Sequence, residues 1–379
     1  MKKIVLAIDS YKGCLSSKEV ETCVEQELHV RFPDCKVVCF PVADGGEGLL
    51  EALAGILDMQ LIHAEVHDPL MRVCDARYGI LEDGVTAVIE MAEASGLPLV
   101  AVPERDPMRA STFGTGELIA DALQKGCRKF LTGIGGSATN DAGMGMLEAL
   151  GVRFFDENGT LLHGSGESMC RISRMDLTLM DSRLKEADFQ VACDVDNPFC
   201  GERGAAHVFA PQKGASPEQI RRLDEGMRRF AALMRRTLGK DISDLAGAGA
   251  AGGLGGALCA FLGARLLPGI DVMLDAARFD EVLPDASLVI TGEGCSDLQT
   301  LMGKVPSGIL RRAQRFDVPV CLMSGRIEEK DALLRAGFAG LFEASPSDMP
   351  LEEAVKPETA KENLRRAVQA LARLMEDKL

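Results

Sequence analysis

The 379-residue sequence predicts two dissimilar α/β domains: a parallel, doubly wound sheet formed by both chain ends, and an inserted domain with a mixed sheet. Three observations lead there. Short apolar runs alternate with helical stretches at both ends of the chain, as expected of strands covered on both faces by crossover helices. The middle opens instead with three partly alternating runs joined by Asp-Pro and Asp-Gly turns, the mark of antiparallel pairing. The length exceeds what one ordinary core needs and suits two domains.

At the N-terminal end a strand over residues 4–9 precedes a helix near 18–29, a strand over 36–42 and a helix near 48–56. The alternation resumes with a strand over 288–291, a helix near 307–315, a strand over 318–324, a helix over 328–336, a strand over 340–344 and a last helix over 357–374. The antiparallel runs fall near 61–66, 73–80 and 85–90. Domain bounds follow as 1–65 with 286–379 for the parallel domain and 66–285 for the insert. A Gly/Ala-rich stretch, 245–257, lacks the serine and charge of a solvated linker and leads into an apolar helix, so it reads as a close backbone approach to a ligand or to a neighbouring element.

The formal charge of −15 argues against nucleic acid as the main partner. The one arginine-rich stretch, Arg221, Arg222, Arg228, Arg229, Arg235 and Arg236, recurs with helical spacing among Leu223, Met227, Phe230, Leu233 and Met234 and reads as the solvated face of an amphipathic helix. No run reaches the roughly twenty uncharged apolar residues of a membrane span, and Met1-Lys-Lys leads directly into the first strand, so a cytoplasmic chain without a membrane partner is expected. The 12 cysteines are scattered singly, largely in apolar runs, as unbridged thiols would be.

The most informative string is Lys129-Phe-Leu-Thr-Gly-Ile-Gly-Gly-Ser-Ala-Thr-Asn-Asp141. Gly133, Gly135 and Gly136 allow backbone N–H groups to turn toward a ligand, and a helix expected to start near Ala142 would add the positive end of its dipole. The string reads as an anion cradle, yet it is neither a Walker A loop nor a GxGxxG fingerprint. Two more strands end in glycine and acid: 288–294 with Gly292 and Glu293, and 38–48 with Asp44 and Glu47. One such turn is ordinary connection chemistry, whereas three carrying acids beyond strand ends point to a site. An acyl-transfer hydrolase using Ser137 would lack both the Gly-x-Ser-x-Gly elbow and a nearby histidine.

These strings, with Asp9-Ser-Tyr-Lys-Gly-Cys-Leu-Ser16, Ser111-Thr-Phe-Gly-Thr-Gly-Glu117, Ala192-Cys-Asp-Val-Asp-Asn-Pro198, Pro211-Gln-Lys-Gly214 and Gly303-Lys304, resemble the bacterial class I glycerate kinases over nearly the whole chain. The resemblance implies one flavodoxin-like domain and a second α/β domain with the active site between them, and ATP-dependent phosphorylation of D-glycerate at O2. The family commonly has Arg-Ile-Asp after the Gly-Glu-Gly turn; this chain has Cys295-Ser-Asp297, so an arginine is missing there while Asp297 and Lys304 remain.

Phosphoryl transfer needs charge neutralisation, in-line positioning and an acceptor for the hydroxyl proton. Under the resemblance, Asp194 and Asp196 are candidate ligands of a Mg²⁺ bridging ATP phosphates; the plainer reading is an Asx turn before Pro198. Asp194 and Asp141 are candidates for the base, and Lys12 and Lys213 for neutralising phosphate. ATP is expected on Gly133, Gly135, Gly136, Ser137, Asn140, Gly292, Glu293 and Lys213. The hydroxy acid is expected on Ser10, Asp44, Ser111, Thr112, Thr115 and Lys304, since a carboxylate with two hydroxyls calls for a cation or helix N-terminus beside hydroxyl groups. A plain N-cap would explain one hydroxyl of the 111–117 string, not three with two glycines. The partners expected are therefore ATP and D-glycerate, with a homodimer left open. Phosphorylation at O3 or of a related small hydroxy acid stays open beside O2, and a non-catalytic nucleotide- or hydroxy-acid-binding regulator is the competing class, disfavoured by the acids and lysines retained around the glycine turns.

Overall fold

The computed structural model describes residues 3–42 and 48–376. Two compact units emerge, Met1–Asp44 with Met273–Leu379, and Gly45–Val272. The crossings fall earlier than the bounds read from sequence, near 65 and 285. Strand Met59–His67 pairs along its length with Val73–Leu81 and so stays with the inserted unit. Phe279 packs edge-on against Phe40 with ring centroids 4.8 Å apart, which keeps the segment after 272 with the unit built from the chain ends. Asp44 and Glu47 lie outside the described residues.

The end-built unit holds a five-stranded, wholly parallel sheet in the order Lys36–Cys39, Lys3–Ile8, Leu288–Gly292, Val320–Ser324, Gly340–Glu343. Numbered along the chain this is 2-1-3-4-5, the flavodoxin-like arrangement, whose switch point lies between Lys3–Ile8 and Leu288–Gly292. Both Leu288–Gly292 and Val320–Ser324 are buried throughout, which is why they read as continuous apolar runs. Helix Ser17–Arg31 starts at a capping box: Ser16 Oγ accepts from the Glu19 N–H, and the Glu19 carboxylate accepts from the Ser16 N–H. Its Val20, Val24 and Leu28 join Leu364, Val368 and Leu371 of helix Pro357–Glu376 in one core over the sheet.

The inserted unit holds a six-stranded mixed sheet. Thr86–Glu90, Lys129–Gly133, Asp188–Ala192 and Arg265–Leu267 run parallel, and Val73–Leu81 and Met59–His67 extend it antiparallel. A small antiparallel sheet of Leu161–Leu162, Arg153–Phe155 and Arg174–Asp176 accompanies it. Helix Pro217–Leu238 buries Leu223, Met227, Phe230, Leu233 and Met234 and turns its arginines outward, where Arg222, Arg228 and Arg229 pair with Glu167, Asp224 and Glu225. The glycine-rich stretch is a close approach: a Cβ at Gly252 would lie 2.1 Å from the Thr139 carbonyl oxygen, and one at Gly256 2.6 Å from the Phe199 ring. None of the cysteines is in a disulfide. Among the described residues no helix is long and apolar enough to cross a membrane.

Candidate active site

In the inserted unit, strands Lys129–Gly133 and Asp188–Ala192 end side by side, and beyond their carboxyl ends lies a cavity of ≈ 560 Å³. Gly135, Gly136, Ser137, Asp194 and Lys213 all line it. The turn is fixed from outside: Leu97 N–H donates to the Gly136 carbonyl, Ala138 N–H donates to the Ser95 carbonyl, and Gly136 takes φ +69°, a conformation that suits glycine. Ser137 keeps 7% of its surface exposed at the cavity wall. Behind it the Lys213 Nζ donates to Ser137 Oγ and to the Thr139 carbonyl, each at 2.6 Å. Lys213 is only 1% exposed. Burial pushes its ammonium down to about 7, with Asp141 pulling partly the other way. Asp194, exposed on the wall, accepts from the Gly269 N–H at 2.8 Å, which orients its carboxylate.

Several expected site residues lie beneath the turn instead. Asp141 is fully buried and accepts from Thr112 N–H, Thr112 Oγ1, Gly143 N–H and Gly145 N–H at 2.8–3.1 Å. Desolvation raises its carboxyl above the usual range against the pull of those four bonds. It ties the 111–113 and 141–145 segments together, which leaves it no place as base or metal ligand. The helix expected near Ala142 begins at Met144, and its first N–H groups are taken by Asp141 rather than aimed at an anion. Thr112 Oγ1 also accepts from Met146 N–H, Ser111 Oγ accepts from Phe113 N–H, and Thr115 Oγ1 bonds Ser95 Oγ at 2.8 Å. All three hydroxyl residues are buried, so the expected substrate contacts are not met there. Packing explains the paired glycines of that string, since a Cβ at Gly114 would sit 2.0 Å from the His67 carbonyl and one at Gly116 2.4 Å from that of Met146. Asn140 is buried against Met227 Sδ at 3.4 Å, with its Oδ1 lacking a hydrogen-bond partner. Gly133 closes its strand inside the sheet. Asp196 is 83% exposed, 3.8 Å from Arg203, and is absent from the cavity wall, so it does not join Asp194 there.

The end-built unit has its own cavity, of ≈ 520 Å³, at the sheet's switch point. Ser10, Lys12, Glu293 and Lys304 line it, as expected of ligand-facing residues. Glu293 Oε1 accepts from Ser296 Oγ and Thr300 Oγ1, and Lys304 Nζ lies 3.6 Å from Glu293 Oε2. Gly292 is a packing residue in the sheet, where a Cβ would fall 1.7 Å from the Met323 carbonyl. Cys295 pairs in register with Arg326 of the adjoining short strand, and both line the cavity, so a guanidinium is present beside the position that lacks the arginine. Arg326 and, in the inserted unit, Arg105 were not legible as site residues: each stands alone in an ordinary loop string.

Strand-end cavities lined by a glycine turn, lysines and acids mark an α/β enzyme that handles small anionic substrates. The chain matches the Glycerate kinase family over residues 4–376. It is 43% identical over 371 residues to Glycerate 2-kinase of Escherichia coli (strain K12), spanning 98% of this chain and 97% of that one. Glycerate kinase of Bacillus subtilis (strain 168) is likewise 43% identical over 371 residues, with the same two shares. A crystal structure from Salmonella typhimurium LT2, provisionally named glycerate kinase 2, shares 44% identity with a TM-score of 0.88 over 100% of this chain and 99% of that one. The chain belongs to the glycerate kinase family, and it is a phosphotransferase.

Proposed function

We propose that the protein transfers the γ-phosphoryl group of ATP to O2 of D-glycerate, giving 2-phosphoglycerate and ADP. What carries the reading, in a chain of this family, is the convergence of the Gly135-Gly136-Ser137 turn, Lys213 and Asp194 on one cavity. The name of the Escherichia coli relative, a glycerate 2-kinase, supports O2 as the acceptor.

In this reading the glycine turn receives the phosphates through backbone N–H groups, with the Arg105 guanidinium on the same wall. Asp194, oriented by Gly269, is the protein ligand of a Mg²⁺. The fit is reasonable: no group of three or more His, Cys, Asp or Glu gathers to hold a metal among the described residues, and a phosphate-bound Mg²⁺ needs only one or two carboxylates, keeping water elsewhere. When bound, the ion neutralises charge on the transferring phosphoryl group. The end-built unit has its own cavity, whose lysines suit an anion, with Ser10 and Lys12 on its wall and Lys304 3.6 Å from Glu293. Coupled measurement of ADP release from purified protein with ATP, Mg²⁺ and D-glycerate tests the reading. Glycerate-dependent ADP formation is expected; its absence with Mg²⁺ present would favour a binding protein instead.

A further inference from the structure

The kinase reading leaves open where the proton of the attacking hydroxyl goes. Asp141, a candidate from sequence, is sealed beneath the turn with its oxygens engaged. The cavity wall offers another acceptor. Ser137 and Lys213 both line the cavity where the glycine turn ends, and Lys213 Nζ lies 2.6 Å from Ser137 Oγ. A second bond, from Nζ to the Thr139 carbonyl, fixes the amine's direction. When the amine is neutral it has one lone pair and two N–H groups. With one N–H committed to Thr139, the lone pair can meet Ser137, whose hydroxyl then donates to the lysine and presents its own lone pairs to the cavity. A serine hydroxyl hydrogen-bonded to a buried lysine is a recognised way to move a proton without histidine.

We propose that Ser137 accepts the proton of the attacking hydroxyl while passing its own to Lys213, so that the pair is the proton relay of phosphoryl transfer. The proposal rests on the kinase reading above. The acceptor oxygen forms its bond to the γ-phosphorus as the bridging P–O bond breaks and its electron pair leaves with ADP. One proton moves from substrate oxygen to Ser137 Oγ, and one from Ser137 Oγ to Lys213 Nζ, which ends as ammonium and returns its proton to water after product release. Ser137 is the group that touches substrate; Lys213 is a positioning residue that acts through it. This differs from the fixed-cation role the sequence suggested for Lys213. Asp141 beneath the turn is the charged group that acts on the amine, and Arg105 and Asp194 line the same cavity. Burial outweighs the pull of Asp141 and brings the amine to about 7, where a base works best at neutral pH.

The test is kcat against pH from about 5.5 to 9, with saturating ATP, Mg²⁺ and D-glycerate, for the wild type, Lys213→Arg and Ser137→Ala, the scale of effects being that of a lost acid–base group. The wild type should gain activity through an ionisation near 7 and level off above it. Lys213→Arg keeps a cation but cannot give up its proton, so kcat should fall at least about a hundredfold and the neutral ionisation should vanish. An ionisation belonging to the nucleotide's own phosphate would persist in that variant. Ser137→Ala removes a single oxygen at the cavity wall, a change the fold should tolerate, and should produce the same loss in kcat with KM for ATP changed less than about threefold. Retention of the neutral ionisation and of kcat within about threefold in either variant overturns the relay while leaving the kinase reading intact. A wild type that forms no ADP with D-glycerate overturns both.

Discussion

Replacing Lys213 by methionine should make the protein more stable and far less active. The folded lysine loses its proton near 7 whereas the unfolded one holds it to about 10.5, and burial at 1% exposure accounts for the difference. Each pKa unit corresponds to about 1.4 kcal/mol, so the buried amine costs the fold at most about 5 kcal/mol, a limit reached below the folded value, where it stays charged in both states. The sign follows from proton counting. Between about 7 and 10.5 the unfolded chain binds more protons than the folded one, so stability rises with pH across that window; below it the whole cost is present. Methionine keeps the apolar stem and removes the charge, but it forfeits the two bonds to Ser137 and Thr139 at about 1 kcal/mol each. The net gain expected at pH 6.5 is about 1–3 kcal/mol, shrinking toward pH 9.5, with kcat lowered at least about a hundredfold. Urea midpoints of the wild type and Lys213→Met at the two pH values give the difference directly, since groups common to both cancel. A variant less stable than the wild type at both pH values, or a difference that does not change with pH, would refute the reasoning.

Asp194→Asn should lower kcat at least about a hundredfold with an unchanged circular dichroism spectrum, as expected of a lost metal contact; near-normal kcat would return Asp194 to a turn role. Asp141→Ala should destabilise by about 3–5 kcal/mol in urea unfolding, because Thr112, Gly143 and Gly145 N–H groups lose a buried acceptor. Gly145→Ala should cost about 1–3 kcal/mol in the same assay, its Cβ falling 2.2 Å from Ser111 Oγ and 2.6 Å from Phe113 N.

The doubly wound sheet was legible because Leu288–Gly292 and Val320–Ser324 are buried on both faces and therefore apolar throughout. The crossings between units were not, since they depend on the full-length pairing of Met59–His67 and on the contact of Phe40 with Phe279, neither of which has a local signature. At the site, glycines beyond strand ends marked the right turn. Whether a hydroxyl faces a ligand or a neighbouring loop is decided by tertiary packing, so Ser111, Thr112 and Thr115 looked like a substrate pocket yet hold a buried carboxylate and its surroundings. The Ser137–Lys213 contact joins residues 76 apart, and no spacing rule announces it. Arg105 and Arg326 reach their cavities only because of where their loops pass.

The central claim, phosphorylation of D-glycerate at O2, is tested most directly by the proton-coupled phosphorus NMR spectrum of the product formed with ATP and Mg²⁺. A phosphate on O2 couples to the one hydrogen of its carbon and should appear as a doublet. A triplet would place the phosphate on the CH₂ oxygen instead, and a spectrum with no new phosphate ester would contradict the kinase reading itself.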